Sequence, residues 1–136
     1  MMTWNALRGQ PIRVLVVDDE APICRAVSLA LQQAAYDVVT ARSGEAAYSM
    51  LKAEHFDILV LDLRIPDERG DVIFEFAAGE QPHLRYASLF LTGDISDQAA
   101  KLMAACKIPV LLKPFELDDL LDAVRSLAPR AQDAAG

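Results

Sequence analysis

Ile12-Arg13-Val14-Leu15-Val16-Val17-Asp18-Asp19-Glu20 is the stretch on which the reading of this chain turns. From Val14 to Val17 the residues are apolar without alternation. A strand wetted on one face alternates apolar and polar positions. An unbroken apolar run instead marks a strand covered on both faces, as in the middle of a parallel sheet. Ile58-Leu59-Val60-Leu61 has the same character. Both runs stop at acids: Asp18-Asp19-Glu20 after the first and Asp62 after the second.

Outward from these two runs, further β-branched or apolar segments complete a series at residues 12–17, 36–41, 56–61, 86–91 and 109–112. Amphipathic stretches at 22–35, 44–54, 71–78, 97–106 and 117–127 lie between and after them. Five β/α units in succession predict an α/β fold, a five-stranded parallel sheet with helices on both faces. In the first amphipathic stretch Ile23, Val27, Ala30, Leu31 and Ala34 recur at helical spacing, and Pro22 suits a first turn, where its missing N–H costs nothing. Ser43, Ser96 and Glu116 stand where polar helix starts are expected. The predicted organisation is an N-terminal extension at 1–10, one domain at 11–128, and a C-terminal tail or linker at 129–136.

Composition narrows the function. At 136 residues the chain has the size of one domain with a real core, and 53% hydrophobic against 24% charged residues excludes bulk disorder. The longest stretch without a charged residue, 26–36, holds 11 residues, short of the roughly 18 that a spanning helix needs. The first residues lack the basic start and apolar stretch of a signal peptide, so a cytoplasmic location and no membrane partner are expected. Thirteen basic against 20 acidic residues disfavour a nucleic-acid surface and are compatible with a cation site. Cys24 and Cys106 are too few and too far apart for a disulfide scaffold or zinc cluster, and are expected to be inert thiols.

Open parallel sheets bind ligands outside the carboxyl ends of their strands. Those ends carry Asp18-Asp19-Glu20, Asp62, Thr92-Gly93-Asp94 and Lys113-Pro114. If the first, third, fourth and fifth strands are neighbours, carboxylates, a hydroxyl and an amine converge on one rim. Clustered carboxylates repel, and a hard divalent cation such as Mg²⁺ relieves that repulsion. Asp62 would then be a nucleophile toward phosphorus, with Thr92 and Lys113 available to phosphoryl oxygens. Each element alone also reads blandly: Asp18-Asp19 as loop acids or helix caps, Asp62 as a loop acid, Thr92 as a turn residue, Lys113-Pro114 as a breaker. Their joint placement at four strand ends carries the weight.

With these residues in view, the chain resembles the receiver domain of two-component response regulators. The matching motifs are Val-Leu-Val-Val-Asp18-Asp19-Glu20, Leu-Val-Leu-Asp62-Leu-Arg-Ile-Pro66 with Gly70, Leu-Thr92-Gly-Asp94 and Leu-Leu-Lys113-Pro114-Phe115, separated by 43, 30 and 21 residues from Asp19 to Asp62, Thr92 and Lys113 in turn. The resemblance implies a flavodoxin-like sheet of strand order 2-1-3-4-5, for which a chemotaxis regulator of this family is a standard example. It implies a phosphorylation-dependent switch rather than a turnover enzyme. Asp62 matches the phosphoacceptor, and Asp19 the direct Mg²⁺ ligand with Asp18 beside it acting through water. The Arg64 backbone carbonyl matches the third protein ligand, Thr92 the hydroxyl drawn to the phosphoryl group, and Lys113 the phosphate-binding lysine before a cis Pro114. Mn²⁺ can stand in for Mg²⁺. The implied partners are a sensor histidine kinase or histidine phosphotransfer protein and a downstream protein or output domain. The implied state is a monomer or a weak phosphorylation-dependent dimer.

Two departures from the family pattern stand out. Val110 occupies the usual place of a switching aromatic three residues before the lysine, and the loop after the phosphoacceptor reads Ile65-Pro66-Asp67-Glu68-Arg69-Gly70. The first leads us to expect readout through the Gly93 loop and the helix at 97–106, the second a changed partner surface. Arg64 and Asp94 are expected to flank the path of hydrolytic water, where a salt bridge between them would slow dephosphorylation, while Gly93 leaves the site open. Other classes fare worse. A haloacid-dehalogenase-like phosphatase needs Asp-x-Asp, absent from Asp62-Leu63-Arg64 and from Asp18-Asp19. A flavodoxin-like flavin carrier needs a Ser, Thr and Gly-rich phosphate loop where Asp18-Asp19-Glu20 stands. A pseudo-receiver would lack some of the five chemical positions, all of which are present. Trp4 reads as a packed or mobile tail residue, His55 and His83 as ordinary surface histidines, and Phe74, Phe76, Met50 and Met103 as core.

Overall fold

The structure, a computed structural model, describes residues 4–5, 9–93, 101, 104–105 and 107–135. Five parallel strands form the sheet: β1 (Arg13–Val17), β2 (Asp37–Ala41), β3 (Ile58–Asp62), β4 (Ser88–Thr92) and β5 (Val110–Leu112). Their order is β2-β1-β3-β4-β5. The helices are α1 (Ala21–Gln33), α2 (Gly44–Ala53), α3 (Gly70–Glu80) and a C-terminal helix (Leu117–Ala135). The expected class and strand order are both observed.

The unbroken apolar runs divide between two cores. Leu15, Val17, Leu59 and Leu61 face one layer with Ala47 and Leu51 of α2 and Ile73, Phe74 and Ala77 of α3. Val14, Val16, Ile58 and Val60 face the other, with Val27 and Leu31 of α1 and Leu120, Val124 and Leu127 of the C-terminal helix. Successive side chains of a strand point to opposite faces, so a strand buried on both needs an apolar residue at every position. Phe74 lies in the core, with Met50 and Phe76 packed half-buried against it.

Several boundaries differ from the sequence reading. Phe56 precedes β3 because its N–H donates to Gln81 Oε1 (2.9 Å). Tyr86 closes a 3-10 turn, Pro82–Tyr86, rather than opening β4. The C-terminal helix continues to Ala135, beyond the expected end at 127. Within the expected N-terminal extension, Trp4–Asn5 pairs antiparallel with Gln10–Pro11, and Gly9 takes a left-handed φ of 63° in the connection. Of the helix expected at 97–106, only 101, 104 and 105 are described, and all three are helical. Met103 and Cys106 lie outside the described residues. His55 and His83 do not stand apart: their rings stack at 4.8 Å, and His83 Nε2 lies 2.6 Å from the Phe56 carbonyl oxygen.

Candidate functional site

Parallel register carries the chemistry to one rim. Val17 pairs with Leu61, and Asp62 with Leu91, so β1, β3 and β4 end side by side. The Lys113 N–H donates to the Thr92 carbonyl (2.7 Å), which brings the end of β5 to the same edge. The Lys113–Pro114 bond is cis, as expected. The result is an open pocket of about 440 Å³ lined by Asp19, Glu20, Asp62, Arg64, Thr92, Gly93 and Lys113.

Lys113 is the centre of charge. Its Nζ donates to Asp18 Oδ2 (2.9 Å), Asp62 Oδ2 (3.1 Å) and Glu20 Oε1 (3.2 Å). Asp18 and Thr92 are fully buried, and Asp62 nearly so. Asp62 Oδ1 accepts the Arg64 N–H (3.0 Å), and Asp18 Oδ1 accepts the Glu20 N–H (2.9 Å). Burial raises the Asp62 pKa, as does the charge of Asp18, and this outweighs the Arg64 amide and Lys113. Burial works against the Lys113 ammonium, but its hydrogen bonds to Asp18 and Asp62 prevail and raise its pKa. The partners therefore do not share the gain equally: Lys113 meets three anions, while Asp62 shares Lys113 with Asp18 and Glu20.

One carboxylate oxygen from each of Asp18, Asp19, Glu20 and Asp62 lies within 4.8 Å of the others. Such an all-oxygen, anionic donor set matches the preference of a hard divalent cation such as Mg²⁺. Gly70 lets the start of α3 come against the back of Asp62, since a Cβ there would stand 2.7 Å from the Asp62 carbonyl oxygen and from Leu63 Cα. Gly93 leaves open space, its nearest neighbour for an added Cβ being Lys113 Cβ at 3.8 Å. Val110 is half-buried against the core, and Pro114 is exposed beside Lys113. Asp94 lies outside the described residues, so the expected Arg64–Asp94 gate falls there too.

Sequence reading missed three contributors. Arg42, just past β2, donates from Nε and Nη2 to the Asp19 carbonyl (3.4 and 3.2 Å). The Cys24 thiol donates to the Asp18 carbonyl (3.0 Å). Asp67 reaches the start of α2. Arg42 was accessible to the same strand-end rule that found Asp18; the other two depend on loop paths that no local pattern encodes.

A doubly wound parallel sheet with four acids and a lysine at its carboxyl rim defines a class of signalling domain, and comparison with known proteins agrees. Residues 14–125 match the family model described as the response regulator receiver domain. The chain belongs to the response regulator receiver family of two-component systems, a family of signalling switches. It is 32% identical over 122 residues to the probable transcriptional regulatory protein TcrX of Mycobacterium tuberculosis, covering 90% of this chain and 52% of that protein. This chain thus spans about half the length of that relative. A response regulator receiver domain protein (CheY-like) from Methanospirillum hungatei JF-1 shares the fold with a TM-score of 0.83 at 23% identity, covering 92% of this chain and 98% of that one. A response regulator from Burkholderia pseudomallei, solved with a phosphorylated aspartic acid, calcium ion and citrate, matches with a TM-score of 0.75 at 25% identity, over 92% and 73% of the chains.

Proposed function

We propose that this chain is a phosphorylation switch whose phosphoacceptor is Asp62. The carrying observation is that Asp62, a nearly buried carboxylate, opens into the pocket between the Lys113 ammonium and the Arg64 amide. A carboxylate oxygen of Asp62 forms the bond to phosphorus while the donor's P–N or P–O bond breaks, its electron pair leaving with the donor. Lys113 carries charge toward the incoming phosphoryl oxygens, and Thr92 supplies a hydroxyl at the pocket wall. Asp18, Asp19, Asp62 and the Arg64 carbonyl would hold Mg²⁺, or Mn²⁺ in its place. When bound, that ion supplies the positive charge that lets the carboxylates and an anionic phosphoryl group coexist. The rest of catalysis is positioning.

The donor in this reading is a sensor histidine kinase or histidine phosphotransfer protein. The signal leaves through the Thr92-Gly93 loop and the segment 97–106 to a downstream protein or output domain. Val110 has no ring to swing, and Arg64, Gly93 and Asp94 tune the phosphoryl lifetime. The TcrX relative is described as a transcriptional regulatory protein, which supports an output of that kind. The net charge of −7 supports a role for this chain without direct nucleic-acid contact. Residues 11–128 form the switch unit, flanked by 1–10 and 129–136, and act as a monomer or weak phosphorylation-dependent dimer. Among the described residues no helix is long and apolar enough to cross a membrane, which supports the cytoplasmic reading.

The test is intact-mass analysis after incubation with acetyl phosphate. We expect one added phosphoryl group with Mg²⁺ present, and none in Asp62→Asn, in Asp19→Ala or without the metal. Phosphate found on Ser, Thr or His instead would refute the assignment.

A further inference from the structure

In the loop after Asp62, exposed Asp67 and half-buried Glu68 both reach across to α2. Asp67 Oδ1 accepts the Gly44 N–H (2.9 Å), and its Oδ2 accepts the Glu45 N–H (3.2 Å). Both amides belong to the first turn of α2, where N–H groups have no partner within the helix. Glu68 Oε2 accepts the Tyr48 hydroxyl (3.1 Å) one turn further along α2. Residue 44 has to be glycine for this approach, because a Cβ there would stand 2.8 Å from Glu68 Cβ. The same two amides, Gly44 first, hold the Asp67 carboxyl below its usual range.

The brace reaches the site through a short ribbon. Ile65 pairs antiparallel with Glu68, and Arg64 with Arg69, so Glu68, tied to α2, stands in the same ribbon as Arg64, and Asp67 lies in the turn that joins its two strands. The Gly70 N–H donates to the Leu63 carbonyl (2.9 Å) and closes the loop. The Arg64 N–H in turn holds Asp62 Oδ1. α2 is therefore connected to the Arg64 backbone through Glu68 and the ribbon, and through the turn that carries Asp67.

We infer that Asp67 and Glu68 are positioning residues that brace the Arg64 backbone against the start of α2, so that affinity for the divalent cation depends on this contact. The inference rests on the reading of Arg64 as a carbonyl ligand. It also makes α2 responsive to the site, because a coupling that lets α2 change cation affinity lets the cation change α2 equally. The loop then couples the site to α2.

The experiment is a Mg²⁺ titration of the whole chain followed by backbone amide shifts, with thermal melts of the apo proteins alongside. In the wild type, Mg²⁺ should move the Gly44 and Glu45 amides. Asp67→Ala and Gly44→Ala should each raise the dissociation constant about 10-fold, the low end for groups that orient metal ligands. Asp67→Asn keeps one acceptor and should lie between wild type and Asp67→Ala. Ser43→Ala is the control: the Ser43 hydroxyl accepts the Ala46 N–H at the same helix end without touching the loop. It should lower the melting temperature and leave the dissociation constant unchanged. If Asp67→Ala binds Mg²⁺ as the wild type does, or if Ser43→Ala weakens it equally, Asp67 is a helix cap alone and the inference fails. A wild type that takes up no Mg²⁺ would instead overturn the functional reading beneath it.

Discussion

At the scale of single residues, Lys113 holds the site together before any ligand arrives. Its side chain is 14% exposed and meets Asp18, which is fully buried, and Asp62, which is 6% exposed. Removing one partner of a buried ion pair strands the others, at a cost of about 3–5 kcal/mol. We therefore expect Lys113→Ala to lower unfolding free energy by about 3 kcal/mol at neutral pH in urea titrations. Added Mg²⁺ should recover part of the loss, since the stranded carboxylates then have a cation again. The sign with pH follows from the raised Lys113 pKa. The stabilisation is in force below the ordinary lysine value of 10.5 and is lost as pH climbs through the raised one. The gap between wild type and variant should hold from neutral pH to about 10.5 and narrow beyond it. An unchanged urea midpoint in Lys113→Ala would contradict this.

Among the elements, the C-terminus of α1 carries a local strain that the sequence does not announce. The Tyr36 N–H donates to the Leu31 carbonyl (3.0 Å) and the Ala35 N–H to the Gln32 carbonyl (2.9 Å), the two bonds of a Schellman cap. That cap puts Ala35 in the left-handed region, at φ 71°. Glycine is the usual occupant because its missing Cβ avoids a cost of about 1–2 kcal/mol. Ala35 is exposed, so its methyl group gives little in return. Ala35→Gly should stabilise the domain by about 1 kcal/mol, read as a higher urea midpoint, even though glycine elsewhere in a helix destabilises it. A loss of stability would mean that the cap relaxes without strain. The turn before β2 shows why helix ends were hard to place from sequence. Residues 34 and 35 continue the apolar, Ala-rich pattern of α1, and only the return of the chain into β2 ends it.

For the molecule as a whole, the acidic rim sets a balance between fold and site. A net charge of −7 and four clustered carboxylates oppose compaction, and one lysine offsets them only in part. Any cation that binds the folded state alone stabilises it by linkage, about 1.4 kcal/mol at ten times its dissociation constant. For a domain of this size that is a rise of roughly 4–6 °C in Tm. We expect Mg²⁺ to produce such a shift in a calorimetric scan, KCl of equal ionic strength to produce little, and Asp19→Ala to remove it. A Tm indifferent to millimolar Mg²⁺ in the wild type would count against the rim as a metal site.

The sequence by itself determined the class of fold and most of the rim. Residues 14–17 and 58–61 are apolar at every position, and only a strand buried on both faces needs that, so the parallel sheet was legible locally. Asp18, Asp62, Thr92 and Lys113 were legible because a residue at a strand's carboxyl end is on the rim whatever else the chain does. What only tertiary structure decided are the contacts between distant parts. Lys113 lies 95 residues from Asp18 and 93 from Glu20, and its choice of both depends on how β5 is registered beside β4. Asp67 meets α2 23 residues away from Gly44 because the β3–α3 loop folds back over the helix start. Gly70 fits under Asp62 because α3 begins against it. Periodicity reports which face a residue occupies; it carries no information on which distant group will share that face, since loop paths and sheet register are settled by the packing of the whole core.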